Sequence, residues 1–427
     1  MKQRALQFLK YINNVYRFNQ FLTSLSDGRT NPSIPLNTVI AVIFLGLVTR
    51  MGSLNQMEER MRLGYFNKAL RKGFVKGSAD TLAYAAEFLE VEELIDYHHL
   101  IVQDARYNKV FQGGTLDGFK VISLDGTRLT TTESRQRHCD KCKRTELTAE
   151  DGTGYIQWHE DFVGASYVGR PPNLILGIER IEHGEGETTA TLRLLDKIRS
   201  RHYYYAEVVT LDSLYTGAPV INKLLDHNVI GIIRVKQEHY NLIKDAKGLF
   251  SNHDPDIEKR RISIKSSWYE EDTSGSKYDY AVRIWDEENF TTWQKVKKPL
   301  RVLKVEETRI DRRGRPLNSP QITYMLVTAG KDVISTETVW RILHRRWDIE
   351  NKTFHDLKKY WSFGHDFHHE DNAFLAIRWL IVIAVNLFLL FLYRRLSGYA
   401  RQYTQKGLVK DIAFTLSAVR YSINDYG

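Results

Sequence analysis

The chain has 427 residues, 42% hydrophobic and 26% charged, with a formal charge of +9 and two cysteines. That describes an ordinary globular protein of two or three domains and rules out a disulfide framework. The positive excess favours a polyanionic partner, nucleic acid ahead of a membrane surface.

The opening "MKQRALQFLKYINN" is basic without a sustained apolar stretch, so a secretory signal is not expected and the cytoplasm is the expected compartment. Residues 1–112 read as a helical N-terminal domain, including the apolar "PLNTVIAVIFLGLVTRM" and an amphipathic helix for which Ser78 is a candidate N-cap. Just before that helix lie Lys68, Arg71, Lys72 and Lys76. Cations beside helical N–H groups suit phosphate, and a solvated basic loop is the equal alternative.

From residue 113 to 237 the order reads β-β-β-α-β-α-β, an α/β layer whose first three strands form a meander. Residues 238–335 are strand-like runs separated by polar turns, the size of a small subdomain. The basic turn "RIDRRGRPL", with Arg312 and Arg313 at its tip, suits DNA backbone contact or plain solvation. Residues 336–395 return to helix. The run Trp379–Tyr393 is too short for a membrane span, which needs about 20 residues, and it reads as a core helix. A basic tail, 396–427, follows.

Two strands of the layer run straight into an aspartate, "VISLDG" at Asp125 and "VVTLDS" at Asp212. A carboxylate buried there without a partner costs several kcal/mol. Two on neighbouring strands could share a hard cation such as Mg²⁺, which takes carboxylate, water and phosphate oxygens. A third acid would complete a two-metal clamp. Glu350, in "RRWDIENKTFHDLKK", is the natural candidate, on a helix whose Ile342, Trp347, Phe354 and Leu357 could dock on the sheet. Each aspartate alone could equally be a turn cap. Glu179, Glu182 and the acids of "WDEEN" read as solvated or salt-bridged.

Together "SLDGTR", "TLDSLYTGAPVINKLLDHNVIGIIRVK" and "RRWDIENKTFHDLKK" resemble a DDE transposase of a bacterial insertion sequence, closest to the "insertion sequence four" group. The resemblance implies an RNase H-like core with a mixed five-stranded sheet, interrupted by a strand-rich insertion and preceded by a helical DNA-binding domain. The group's signature around the glutamate is Tyr, two residues, Arg, three residues, Glu, six residues, Lys. Arg346 and Glu350 fit it; Leu343 stands at the tyrosine position, and Lys358 falls one residue late, after Leu357.

The resemblance further implies cut-and-paste transposition. Asp125 would bridge two Mg²⁺ ions, with Mn²⁺ able to substitute, and Asp212 and Glu350 would each complete one. Water attack would free a 3′-OH that then attacks target DNA. Arg346, Lys358 and, more weakly, Lys236 would hold phosphates. The implied partners are double-stranded DNA (terminal inverted repeats and target) and a second copy of the chain in a synaptic dimer. No membrane is implied, and the setting would be cytoplasmic and nucleoid-associated. A DNA-binding protein that has lost catalysis, or a metal-dependent nuclease without strand transfer, are the other readings.

Cys139 and Cys142 form a CxxC, with His159 the better-placed histidine for a structural Zn²⁺; thiols in a turn are the alternative.

Overall fold

Among the described residues ten strands hydrogen-bond into one mixed sheet, and helices from both ends of the chain pack beside it in an α/β arrangement. The computed structural model describes residues 3–67, 69–70, 76–132, 142–236, 240–262, 279–400 and 404–417.

Strands β1 (Val121–Thr132), β2 (Lys143–Thr148), β3 (Gly154–Tyr167) and β4 (Ile175–Arg180) come first. After the helix Glu187–Arg201 follow β5 (Val208–Leu211), the helix Ala218–Asp226 and β6 (Ile230–Val235). β3 runs antiparallel to both β1 and β4, while β5 is parallel to β1 and β6 to β5. The expected β-β-β-α-β-α-β order is present, with one addition. β2 pairs with the outer part of β3 and extends the β1–β3 hairpin.

The strand-rich block is part of the same sheet. β7 (Ile257–Ile262), β8 (Asp279–Phe290), β9 (Leu300–Ile310) and β10 (Gln321–Val327) form an antiparallel run, and β10 pairs directly with β6. The order across the sheet is β2-β3-β1-β5-β6-β10-β9-β8-β7, with β4 also on β3. A helix that the sequence reading did not separate, Asn241–Phe250, precedes β7.

Parallel strands need crossover helices, and these cover the sheet's faces. Helices Glu187–Arg201 and Ala218–Asp226 lie on one face. Leu194 fills the space above Gly177, and Leu224 the space above Gly231. The segment 336–360 lies on the other face, where Phe354 sits over Gly164.

The N-terminal helices and the late apolar helix Asp371–Leu390 share one hydrophobic core. That helix packs on Leu36–Val48, Ala79–Glu87 and Val91–Tyr107. With its continuation to Arg395 it is long and apolar enough to cross a membrane, yet 89% of its most apolar window is buried inside the protein. Its internal Asn386 is fully buried and satisfied: the side-chain oxygen accepts the Ile175 N–H at 2.9 Å, and the amide donates to the Ile175 carbonyl at 2.8 Å. Ser78 caps as expected, accepting the Thr81 N–H at 3.2 Å.

Candidate active site

Asp125 is not at a strand end. β1 continues through it to Thr132, because the β1–β3 hairpin keeps pairing and Asp125 lies opposite Gly164. Asp212 does lie just past its short strand, at the start of the turn Ser213–Tyr215. The last parallel pair between β1 and β5 is Ser123 with Thr210. Two residues further along each strand come the two aspartates, level with one another and on the same face.

The third acid reaches them over β3. Glu350 sits on a π-helical turn, Ile349–Phe354, between the helices Thr336–Arg346 and His355–Tyr360. A Cβ on Gly164 would stand 2.8 Å from the Phe354 ring, so the strand residue facing Asp125 must be glycine for this segment to come so close. The Ser166 and Thr353 hydroxyls hydrogen-bond at 3.1 Å and pin the same turn to β3. Ile342, Phe354 and Leu357 are buried as expected, but Trp347 is 42% exposed. Its ring lies instead 4.3 Å from the Arg346 guanidinium.

Arg346 is the centre of the constellation. Its side chain is 1% exposed; Nη1 lies 3.2 Å from Glu350 Oε1 and 3.8 Å from Asp125 Oδ2, and Nη2 lies 3.9 Å from Asp212 Oδ1. One guanidinium therefore touches three acids from three distant parts of the chain. Burial pushes the Asp125 carboxyl up to about 7, and the neighbouring Glu350 carboxyl adds to the rise; Arg346 and the Gly126 N–H oppose it. At Asp212 burial acts in the same direction, but the Ser213 N–H and the charges of Arg346, Lys236 and Arg234 outweigh it and hold the carboxyl below its usual value.

The donor set suits a hard divalent cation: the oxygens are carboxylate, and Asp212 Oδ1 is buried without a hydrogen bond. Among the described residues no group of three or more His, Cys, Asp or Glu side chains is packed closely enough to hold an ion unaided. The carboxylates are arranged as a ring around Arg346.

Lys236 comes within 3.5 Å of Asp212 Oδ2. Arg234, which the sequence reading passed over, lies 4.0 Å from Oδ1; its place two residues before Lys236 on β6 puts it on the same face, a period-2 signal that could have found it. Lys358 is exposed, with Asp161 and Arg128 as its charged neighbours. The π-helical turn spends one residue more per hydrogen-bonded turn than an α-helix. That turn lies between Glu350 and the helix His355–Tyr360 that carries Lys358.

Arg312 and Arg313 are exposed at the β9–β10 hairpin. β10 runs antiparallel to β6, so this hairpin projects from the end of the sheet that carries Asp212 and Lys236. Lys76 is exposed and donates to the Arg62 carbonyl at 2.9 Å; Lys68, Arg71 and Lys72 lie outside the described residues.

Cys139 also lies outside them. Cys142 Sγ is 3.9 Å from His369 Nε2, and both ring nitrogens of His159 are engaged, by Thr145 Oγ1 at 2.9 Å and Asp161 Oδ1 at 3.0 Å. His159 therefore has no nitrogen open toward Cys142 in this arrangement.

A second contact unseen in the sequence lies on the opposite face. The Glu187 carboxylate sits against Gly126, where any Cβ would collide with it, and the buried Tyr215 hydroxyl donates to Glu187 Oε1. This ties the turn after Asp212 to the backbone beside Asp125.

A family model described as a transposase DDE domain matches residues 174–387, a span that includes Asp212, Arg346 and Glu350 and begins after Asp125. No curated protein matches the chain.

Proposed function

The chain belongs to the transposase DDE-domain family, and from that premise we propose that it moves an insertion sequence by cut-and-paste, with Asp125, Asp212 and Glu350 as its catalytic acids. The observation that carries this reading is the single buried guanidinium of Arg346 in contact with all three carboxylates. The strand order β4-β3-β1-β5-β6, with β3 alone reversed, supports an RNase H-like core, and β7–β10 would be the insertion of the "insertion sequence four" group.

Asp125, Asp212 and Glu350 would hold the divalent cations, Mg²⁺ or Mn²⁺, which when bound lower the pKa of water or a 3′-OH and neutralise charge on the phosphoryl group. The chain's own residues do the positioning. Tyr215 and Glu187 fix the Asp212 turn, and Gly164 admits the glutamate segment. Arg346, Arg234 and Lys236 surround Asp212 with positive charge, which suits the non-bridging oxygens of a DNA phosphate. Lys358 and the Arg312–Arg313 hairpin would hold backbone further out along the same duplex. Two element ends must be held together for joining, so the working form would be a homodimer, nucleoid-associated in the cytoplasm.

The test is incubation of the purified chain with duplexes carrying candidate terminal repeats, a target plasmid and Mg²⁺. Strand-transfer products support the proposal. Nicking alone would make the chain a metal-dependent nuclease, and binding alone would make it a DNA-binding protein without catalysis.

A further inference from the structure

Away from the three acids, the stretch joining the helix Val91–Tyr107 to β1 borders two cavities of about 520 and 360 Å³. They adjoin: Gln112 lines the first and Gly113 the second, and Arg170 Nη2 bridges the two by donating to the Gln112 and Gly114 carbonyls at 2.8 and 3.1 Å. Lys120 and Gly169 place this surface at the start of β1 and the end of β3, the end of the sheet away from the Arg312–Arg313 hairpin.

The charge is one-sided. Arg106, Lys109 and Lys120 line the first cavity, and Arg170, Arg341 and Arg345 the second, against one lining carboxylate, Asp117. Lys120 pairs with Glu207 at 2.6 Å, Arg341 with Asp117 at 3.1 Å and Arg345 with Asp348 at 3.3 Å. Among the described residues Arg106, Lys109 and Arg170 have no carboxylate partner. Unpaired cations gathered around one concavity repel each other, and a polyanion laid across them removes that cost. Tyr107, 77% exposed beside Arg106, adds a ring face. A single small anion would occupy one cavity. Two adjoining cavities, each with its own cations, fit a ligand with repeated negative charges. The second cavity also borders the helix Thr336–Arg346, since Arg345 lines it and the next residue, Arg346, touches the three acids.

We propose that this cationic track binds the phosphodiester backbone of duplex DNA outside the segment being cut. The assignment rests on the transposase reading.

The test uses the full chain and a labelled duplex, with affinity measured by fluorescence anisotropy over a series of NaCl concentrations. Each phosphate contact contributes about 0.9 to the slope of log K on log salt. The variant Arg106→Gln/Lys109→Gln/Arg170→Gln should lower that slope by about 2–3 and weaken binding at least about tenfold at low salt. The control Lys244→Gln/Lys406→Gln/Lys410→Gln removes the same charge from exposed helix positions and should change the slope by less than about 1. Lys109→Glu alone, at an exposed position, should weaken binding in the same direction and covers the case in which the triple variant misfolds. Wild-type chain that binds DNA with equal slopes in the track and control variants overturns the track and leaves the transposase reading intact. Wild-type chain that binds no duplex overturns both.

Discussion

Two aspartates of the same sheet, the buried Asp286 on β8 and the half-buried Asp212 beyond β5, are held in opposite ways. Asp286 is fully buried; Arg301 grips it with Nε at 2.8 Å and Nη2 at 2.5 Å, and the Thr336 hydroxyl donates at 2.7 Å. Its oxygens are taken, so it acts as a structural tie between β8, β9 and the start of the helix Thr336–Arg346. Asp212 has cations at 3.5 to 4.0 Å and one buried oxygen with no hydrogen bond. A native chain keeps a buried acid short of partners where something outside the chain completes it. The shortage, more than the burial, is what makes Asp212 a candidate.

The largest effects should separate these two acids. Asp212→Asn should lower end cleavage by at least about 10³-fold, or roughly 4 kcal/mol of transition-state stabilisation, while DNA binding and melting temperature stay near wild type. A gel-based cleavage assay beside a melting curve reads both. Undiminished cleavage would remove Asp212 from the chemistry and erase the contrast.

Asp286→Ala should do the reverse. It leaves the Arg301 charge buried and unpaired, which costs about 3–5 kcal/mol of folding stability. Denaturant titration measures that loss, and cleavage per folded molecule should survive. A variant as stable as wild type would show that the Arg301 pair contributes nothing.

Gly164→Val sharpens the comparison at intermediate size. The new side chain meets the Phe354 ring, so overpacking of about 1–3 kcal/mol is expected. Because the displaced segment carries Glu350, cleavage should fall further than stability. A loss confined to stability would mean that the glutamate segment tolerates movement.

The smallest effect belongs to the outer hairpin. Arg312→Ala/Arg313→Ala removes two exposed cations and should lower the salt slope of DNA binding by about 2, with melting within a degree or two of wild type. An unchanged slope would take the hairpin off the DNA path.

Much of this was legible in one dimension. Apolar runs of four to six residues marked β4, β5 and β6, and 3.6-residue periodicity marked the crossover helices. Ser78 announced its helix start, and Asp212 its strand end. The candidate site was proposed from the sequence as three acids and one arginine, with Arg346 and Glu350 tied by the resemblance to a fixed spacing, and the structure brings those four side chains together. Arg234, Glu187 and Tyr215 were not legible, since each matters through a partner remote in sequence.

What the chain dictated by itself was the order of elements, the apolar character of the late helix and the position of Asp212 at the end of its strand. These depend on neighbours within a few residues, through propensity, periodicity and capping. Tertiary structure decided the rest. It carried β1 past Asp125 and joined the antiparallel strands to β6 instead of leaving them apart. It also placed a π-helical turn under Glu350, and Arg346 among the three carboxylates. Those outcomes depend on which distant surfaces pair and on how charge is compensated once water is excluded, and no local stretch of sequence encodes either.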